Sequence, residues 1–216
     1  MKAIIVAGGT PPSKKLLKKE ITSKSTIIAA DSGADCLWKY KITPDYLIGD
    51  FDSINNQALH FWIDKNIPIE RHPQNKDMTD SQLALKKATA LNIKEIVFLG
   101  CLDGKRVDHL LGAFGLLAEC LDLSITAYLK DDYQNITLLN KPTIIHGKNK
   151  EIFSLQAYGE PVKNLSISGS KYELKSYELK MGDALTLSNE FQDQYVNIQF
   201  TDGRLILIRQ ERLRIL

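Results

Sequence analysis

The feature that most constrains this chain is a change of rhythm near residue 130. Before it, short apolar runs at 3–6, 26–30, 46–48, 96–99 and 125–129 alternate with stretches of helical spacing at about 13–20, 34–40, 55–65, 80–91 and 108–121. Strands separated by helices need crossover connections, and those give a largely parallel sheet. After it come short runs rich in Ile, Leu, Val, Thr and Tyr, at 136–139, 143–146, 152–156, 165–167, 184–187, 196–200 and 205–208. Turn clusters separate them, among them Gly159-Glu160-Pro161, Gly182-Asp183 and Asp202-Gly203. An Asp-Gly pair between two alternating runs predicts a hairpin. With no helical spacing in this part, the pattern predicts an antiparallel sandwich or barrel. The expected organisation is α/β: a parallel-sheet domain over 1–132, then a smaller antiparallel β-sandwich domain over 133–216.

Composition excludes several classes of function. A formal charge of +2 is too small to imply nucleic acid or an anionic membrane as partner. No run approaches the roughly 18 apolar residues of a membrane span. The apolar start at Ile4-Ile5-Val6 stops at Gly8-Gly9, so it reads as a first strand rather than a secretion signal. Cys36, Cys101 and Cys120 are odd in number and widely spaced, which suits free thiols in a reducing cytoplasm.

The chemistry gathers between residues 31 and 108, where ten Asp stand against two Glu. Asp favours caps, turns and strand ends. Those are the places where an open parallel sheet binds ligands. The first cluster, Asp31-Ser32-Gly33, follows a strand and opens a helix; Asp31 or Ser32 could serve as an N-cap. The helix start is also an anion site, with Gly33 permitting close backbone approach. The second, Gly49-Asp50-Phe51-Asp52-Ser53, places two carboxylates on one side if the strand continues through it. Two such charges raise each other's pKa unless a cation joins them, and hard oxygen ligands at this spacing suit magnesium. The competing reading is a solvated turn in which Asp52 caps the next helix.

In the third cluster, Lys76-Asp77-Met78-Thr79-Asp80, Thr79 with Gln82 matches a capping box. That leaves Lys76 and two acids free to hold a metal–phosphate complex. In the fourth, Arg106 can clamp phosphate oxygens, Asp108 can cap or bind metal, and His109 can hydrogen-bond a phosphate or serve structurally. Gly9, after the first strand, offers a phosphate-approach loop. There is no Gly-x-x-x-x-Gly-Lys-Ser/Thr loop, no Gly-x-Gly-x-x-Gly and no Gly-x-Ser-x-Gly elbow. Acids with a few cations fit phosphoryl-type transfer, where catalysis is positioning and charge neutralisation.

In this order the four clusters resemble the thiamine pyrophosphokinase family, whose Ala-Asp-Ser/Gly-Gly-Ala, Gly-Asp-Phe-Asp-Ser and Lys-Asp-x-Thr-Asp motifs match 30–34, 49–53 and 76–80. Gly169-Ser170-Lys171-Tyr172 and Ser188-Asn189-Glu190 resemble segments of that family's small β domain. Lys105, Ala113 and Ser170 depart from the pattern. The resemblance implies a magnesium-dependent catalytic domain in which the hydroxyl of thiamine attacks the β-phosphorus of ATP and AMP is released. It implies Asp50, Asp52, Asp77 and Asp80 as metal acids. Asp52, Asp77, Asp80 and Arg106 would be catalytic. Gly9, Asp31, Ser32, Gly33, Lys76, Thr79, Arg106, Asp108 and His109 would lie at the nucleotide. It also implies a homodimer with shared sites, Tyr172 stacking on thiamine and Ser188 and Asn189 bonding its pyrimidine. Alternative readings are diphosphotransfer to another hydroxymethyl heterocycle such as a pterin, or a nucleotide- or thiamine-binding protein without turnover.

Overall fold

The computed structural model describes residues 1–75, 77–103 and 106–210, and the chain divides into two compact units, Met1–Asp132 and Tyr133–Leu216. In the first, strands β1 (Lys2–Val6), β2 (Ser25–Ala30), β3 (Tyr46–Gly49), β4 (Ile69–Arg71), β5 (Glu95–Leu99) and β6 (Thr126–Lys130) alternate with helices. The helices are α1 (Lys14–Glu20), α2 (Gly33–Tyr40), α3 (Asn56–Asp64), α4 (Asp80–Ala90) and α5 (Val107–Asp122). The strands run in the order β6-β5-β1-β2-β3-β4, and every pairing is parallel. β1 and β5 lie at the middle of this sheet, and Ile4, Ile5, Val97 and Phe98 are wholly buried. Burial on both faces is why these strands read as continuous apolar runs.

The chain steps outward from β1 through β2, β3 and β4, then returns to the other side of β1 with β5 and β6. The order therefore reverses between β1 and β5, and an open parallel sheet binds ligands outside the carboxyl ends of its strands at such a point. β4 is absent from the expected strands. It has three residues, Ile-Glu-Arg, and none is fully buried, so it carries no apolar run.

The second unit contains β7 (Gln134–Leu139), β8 (Thr143–His146), β9 (Ile152–Ala157), β10 (Val162–Ser168), β11 (Leu174–Leu179), β12 (Asn189–Glu190), β13 (Tyr195–Gln199) and β14 (Leu205–Gln210). β12-β9-β14-β7 form one antiparallel layer and β11-β10-β13-β8 another. Phe153 and Leu155, Leu165 and Ile167, Val196 and Ile198, and Leu205 and Leu207 share one core.

Three expectations fail in this unit. The run at 184–187 is a turn rather than a strand: Thr186 is buried, donating to the Leu155 carbonyl at 2.7 Å, while Leu185 and Leu187 face outward. β11 and β12 are absent from the expected strands, since only Leu179 of the six residues of β11 is buried and β12 is the polar pair Asn189–Glu190. The Asp202-Gly203 hairpin does not form, because β13 pairs with β8 and β10 while β14 pairs with β7 and β9. The turn instead carries the chain from one layer to the other, with Asp202 bridged to Lys163. Gly203 there has φ +98, and a Cβ would meet Val162 Cα at 2.9 Å.

Candidate functional site

β2 ends at Ala30, and Asp31 turns the chain with a left-handed backbone (φ 48). Its N–H donates to the Ile48 carbonyl at 2.9 Å, which ties the end of β2 to β3. The Asp31 side chain is thereby buried, at 8% exposure. One carboxylate oxygen accepts from the Ser53 hydroxyl; the other, Oδ1, is buried without a hydrogen-bond partner among the described residues. Ser53 Oγ also lies 3.0 Å from Ser32 Oγ. Ser32 occupies the N-cap position of α2, but in helical conformation and without a side-chain capping bond, so neither Asp31 nor Ser32 is spent as a cap. Gly33 differs from expectation in its close approach. A Cβ there would sit 1.9 Å from the Val6 carbonyl oxygen, so its missing side chain lets α2 press on β1.

β3 ends at Gly49, and the strand does not continue through the second cluster. Phe51 has φ 62, and the Asp52 N–H donates back to Asp50 Oδ1 at 3.2 Å. A tight turn, not strand alternation, gathers these two carboxylates. Phe51 is buried in the core, which anchors the turn. The Arg71 guanidinium lies 5.0 Å from its ring centroid and donates to the Asp50 carbonyl at 3.1 Å. Gln74 donates to Asp52 Oδ2 at 3.1 Å. The cap of α3 is Asn55, whose side chain accepts from Gln57 and Ala58, so Asp52 is free of that duty.

The result is three carboxylates from two strand ends, Asp31, Asp50 and Asp52, each offering an oxygen within 4.8 Å of the others. Crowding shows in Asp52, whose pKa is raised above the usual carboxylate range, first by the charge of Asp50 and then by desolvation and Asp31. Asp35 beside them is also raised, chiefly by burial. Three hard oxygen donors with a buried oxygen left unbonded fit a divalent cation such as magnesium. Such a charge would relieve the repulsion that the folded chain imposes.

Asp80 and Asp77 are not in that group. Asp80 is the first residue of α4, half-buried, and its charge contributes to the rise at Asp52. Asp77 is exposed. Thr79 forms the expected capping box with Gln82. Lys76 lies outside the described residues. At the start of α5, Arg106 Nε donates to Asp108 Oδ1 at 3.1 Å and its Nη2 to the other oxygen. That bond to Arg106 holds the Asp108 carboxyl below its ordinary range. His109 is exposed. The Gly9 N–H donates to the Gly100 carbonyl at 3.1 Å, joining the loops after β1 and β5 at the reversal point.

In the second unit, Tyr172 is exposed, with Lys171 Nζ 5.2 Å from its ring centroid. Asn189 is buried, and its amide is fully engaged. Nδ2 donates to the Tyr172 carbonyl at 2.8 Å and to Ser170 Oγ at 3.2 Å, while Oδ1 accepts from Tyr172 N and Glu190 N. Ser188 is exposed beside it, with its N–H on Ser154 Oγ at 2.9 Å.

Sequence reasoning placed Asp31 at phosphate and did not group it with Asp50 and Asp52. It also gave no role to Ser53, Arg71 or Gln74. Each contact depends on parallel pairing of β2, β3 and β4, which no local pattern encodes.

The chain matches two family models, "Thiamin pyrophosphokinase, catalytic domain" over residues 17–129 and "Thiamin pyrophosphokinase, vitamin B1 binding domain" over 142–205. It is 31% identical to the thiamine pyrophosphokinase of Bacillus subtilis over 213 residues, covering 97% of this chain and 99% of that one. The crystal structure of a Bacillus subtilis thiamine pyrophosphokinase superposes with a TM-score of 0.88 at 29% identity, covering 99% and 100% of the two chains. That of an Enterococcus faecalis thiamin pyrophosphokinase family protein gives 0.83 at 25% identity, covering 98% and 99%.

Proposed function

The chain belongs to the thiamine pyrophosphokinase family, and we propose that it transfers the diphosphate of Mg-ATP to the hydroxyl of thiamine, giving thiamine diphosphate and AMP. The observation that carries the magnesium and ATP parts of this reading is the carboxylate group Asp31, Asp50 and Asp52, with its unbonded buried oxygen at the end of a parallel sheet. These three hold the cation in this proposal, and Asp77 and Asp80 extend the acidic wall. Magnesium there supplies positive charge against the phosphate oxygens and the negative charge that develops on transfer. In the reaction a bond forms between the thiamine hydroxyl oxygen and the β-phosphorus. The bond from that phosphorus to the oxygen bridging to the α-phosphate breaks. AMP leaves with the electron pair, and the hydroxyl proton is lost.

The remaining residues bind and orient. Arg106, held by Asp108, neutralises phosphate oxygens, while Gly9, Ser32, Gly33, Thr79 and His109 line the nucleotide's path. Tyr172 stacks on thiamine, an aromatic face beside a cationic ring. Ser188 offers its exposed hydroxyl, and Asn189, with its amide already used, holds the Tyr172 backbone in place. The protein acts in the cytoplasm as a homodimer in this reading. Exposed Tyr172, Met181, Leu185 and Leu187 support a covered face on the second unit. Among the described residues, no helix is long and apolar enough to cross a membrane.

The test is turnover of purified protein with ATP, magnesium and thiamine, resolving AMP from ADP and thiamine diphosphate from the monophosphate. Equal amounts of AMP and thiamine diphosphate, lost with EDTA, are expected. Release of ADP with thiamine monophosphate would refute diphosphotransfer.

A further inference from the structure

We propose that the first unit carries a second small-molecule site, a cleft between α2 and α3 that takes a nucleotide: a neutral planar aromatic ring bearing phosphate. The cavity has a volume of about 770 Å³. That suits a small ligand, since such pockets run from roughly 300 to 1,000 Å³. Its floor and walls are aromatic. Phe61 stands edge-on to Trp62 with ring centroids 4.9 Å apart, and Trp38 lies 6.5 Å from Phe61. Trp62 is buried, its indole N–H directed at the Ala34 carbonyl at 3.4 Å, whereas Phe61 is exposed and Trp38 half-buried. The floor is therefore fixed; Trp38 remains available for stacking, while Lys65 Nζ lies 5.7 Å from the ring centroid of Phe61.

Three exposed cations line the same cavity: Lys39, Lys41 and Lys65. None makes an ion pair among the described residues, in contrast to Lys2, Lys87, Lys130 and Lys171, which all do. Lys41 is fixed at its backbone, ending α2 in left-handed conformation with its N–H on Leu37 and Trp38 carbonyls. Three ammonium groups without ion pairs among the described residues, that of Lys65 beside the Phe61 ring, outnumber the single carboxylate of the lining, Asp35, and so favour an anion on a flat ring. They disfavour a ring that is itself cationic, which separates a purine nucleotide from a thiamine phosphate. Asp31, Asp50 and Asp52 do not line the cleft, whose one carboxylate is Asp35, so the site is distinct from those three and does not depend on the diphosphotransfer reading. The two approach each other at Asn55, which borders the cleft two residues after Ser53 and donates its N–H to the Asp35 carboxylate at 3.1 Å.

The chain has two tryptophans, and both line this cleft, so intrinsic tryptophan fluorescence reports on its occupancy. The experiment titrates the protein with AMP in EDTA, alongside adenosine, inorganic phosphate and thiamine diphosphate. A saturable fluorescence change with AMP is expected, unchanged in Asp52→Asn and on the order of tenfold weaker in Lys41→Glu/Lys65→Glu, from the loss and reversal of two surface charges. Adenosine should respond more weakly than AMP, and phosphate alone should leave the fluorescence unchanged. Phe61→Ala, which alters an exposed ring, should weaken AMP binding without changing the circular dichroism spectrum. The proposal is overturned if AMP gives no saturable change or if the lysine variant responds like the parent. It is equally overturned if Asp52→Asn abolishes the response or thiamine diphosphate binds more tightly than AMP.

Discussion

Two buried carboxylates in the first unit are treated in opposite ways. Glu20, at the end of α1, is 4% exposed and accepts from Lys2 at 2.7 Å and Lys130 at 2.9 Å. Burial pushes its pKa up, but the two lysines outweigh that and hold it below the ordinary range. Asp31, at 8% exposure, has no ion pair among the described residues. It faces Asp50 and Asp52 and keeps one oxygen unbonded. The chain supplies the counter-charge where the carboxylate serves the fold. At the strand ends Asp31 has no such partner among the described residues, and in the proposal above a bound cation supplies the charge. A buried charge is tolerated only when paired, so Asp31, with no ion pair among the described residues, marks a candidate binding position.

The largest effect that sharpens this contrast is expected from Asp52→Asn. Turnover should fall on the order of 10³-fold, as when a charge-stabilising group is removed from a transfer site. In EDTA the same variant should melt above the parent, because one of three crowded charges is gone. A variant that melts lower would place Asp52 in the structural class with Glu20. Next in size, Glu20→Ala should cost about 3 kcal/mol in urea unfolding, with or without magnesium, since it strands two lysines. Asn189→Ala should cost about 2 kcal/mol by leaving the backbone groups around Tyr172 unsatisfied.

The smallest effect is one of pH, and here the two carboxylates differ in sign. Glu20, with a lowered pKa, contributes stability above the usual carboxylate range and loses it as pH falls. Asp52, with a raised pKa, contributes stability at low pH and loses it as pH rises through its folded value. Melting curves of the parent and Asp52→Asn in EDTA should therefore separate near neutrality and converge in acid. Curves that stay parallel across this range would remove the like-charge account of Asp52.

The alternation of strands and helices to residue 130 was legible because the parallel strands are buried on both faces. Of the short strands, β4, β11 and β12 were not, since Ile69–Arg71, Leu174–Leu179 and Asn189–Glu190 present few buried apolar side chains. The run at 184–187 misled in the other direction. Its alternation predicts leucines inward, yet Thr186 is the residue that goes in, because its hydroxyl and carbonyl both bond the Leu155 backbone. Asp202-Gly203 did make a tight turn, but a local turn does not specify which layer the next strand joins. At the site, the acids themselves were visible and their grouping was not. Asp31 joins Asp50 and Asp52 through left-handed turns at Asp31 and Phe51 and through Ser53, all set by the packing of β2 against β3.

Titration of the protein with Mn²⁺, following free ion by electron paramagnetic resonance with magnesium as competitor, would decide whether Asp31, Asp50 and Asp52 form a divalent-cation site. Binding that magnesium displaces is expected, weakened roughly tenfold or more in Asp31→Asn and unchanged in Glu20→Gln. Equal Mn²⁺ binding by the parent and Asp31→Asn would contradict it.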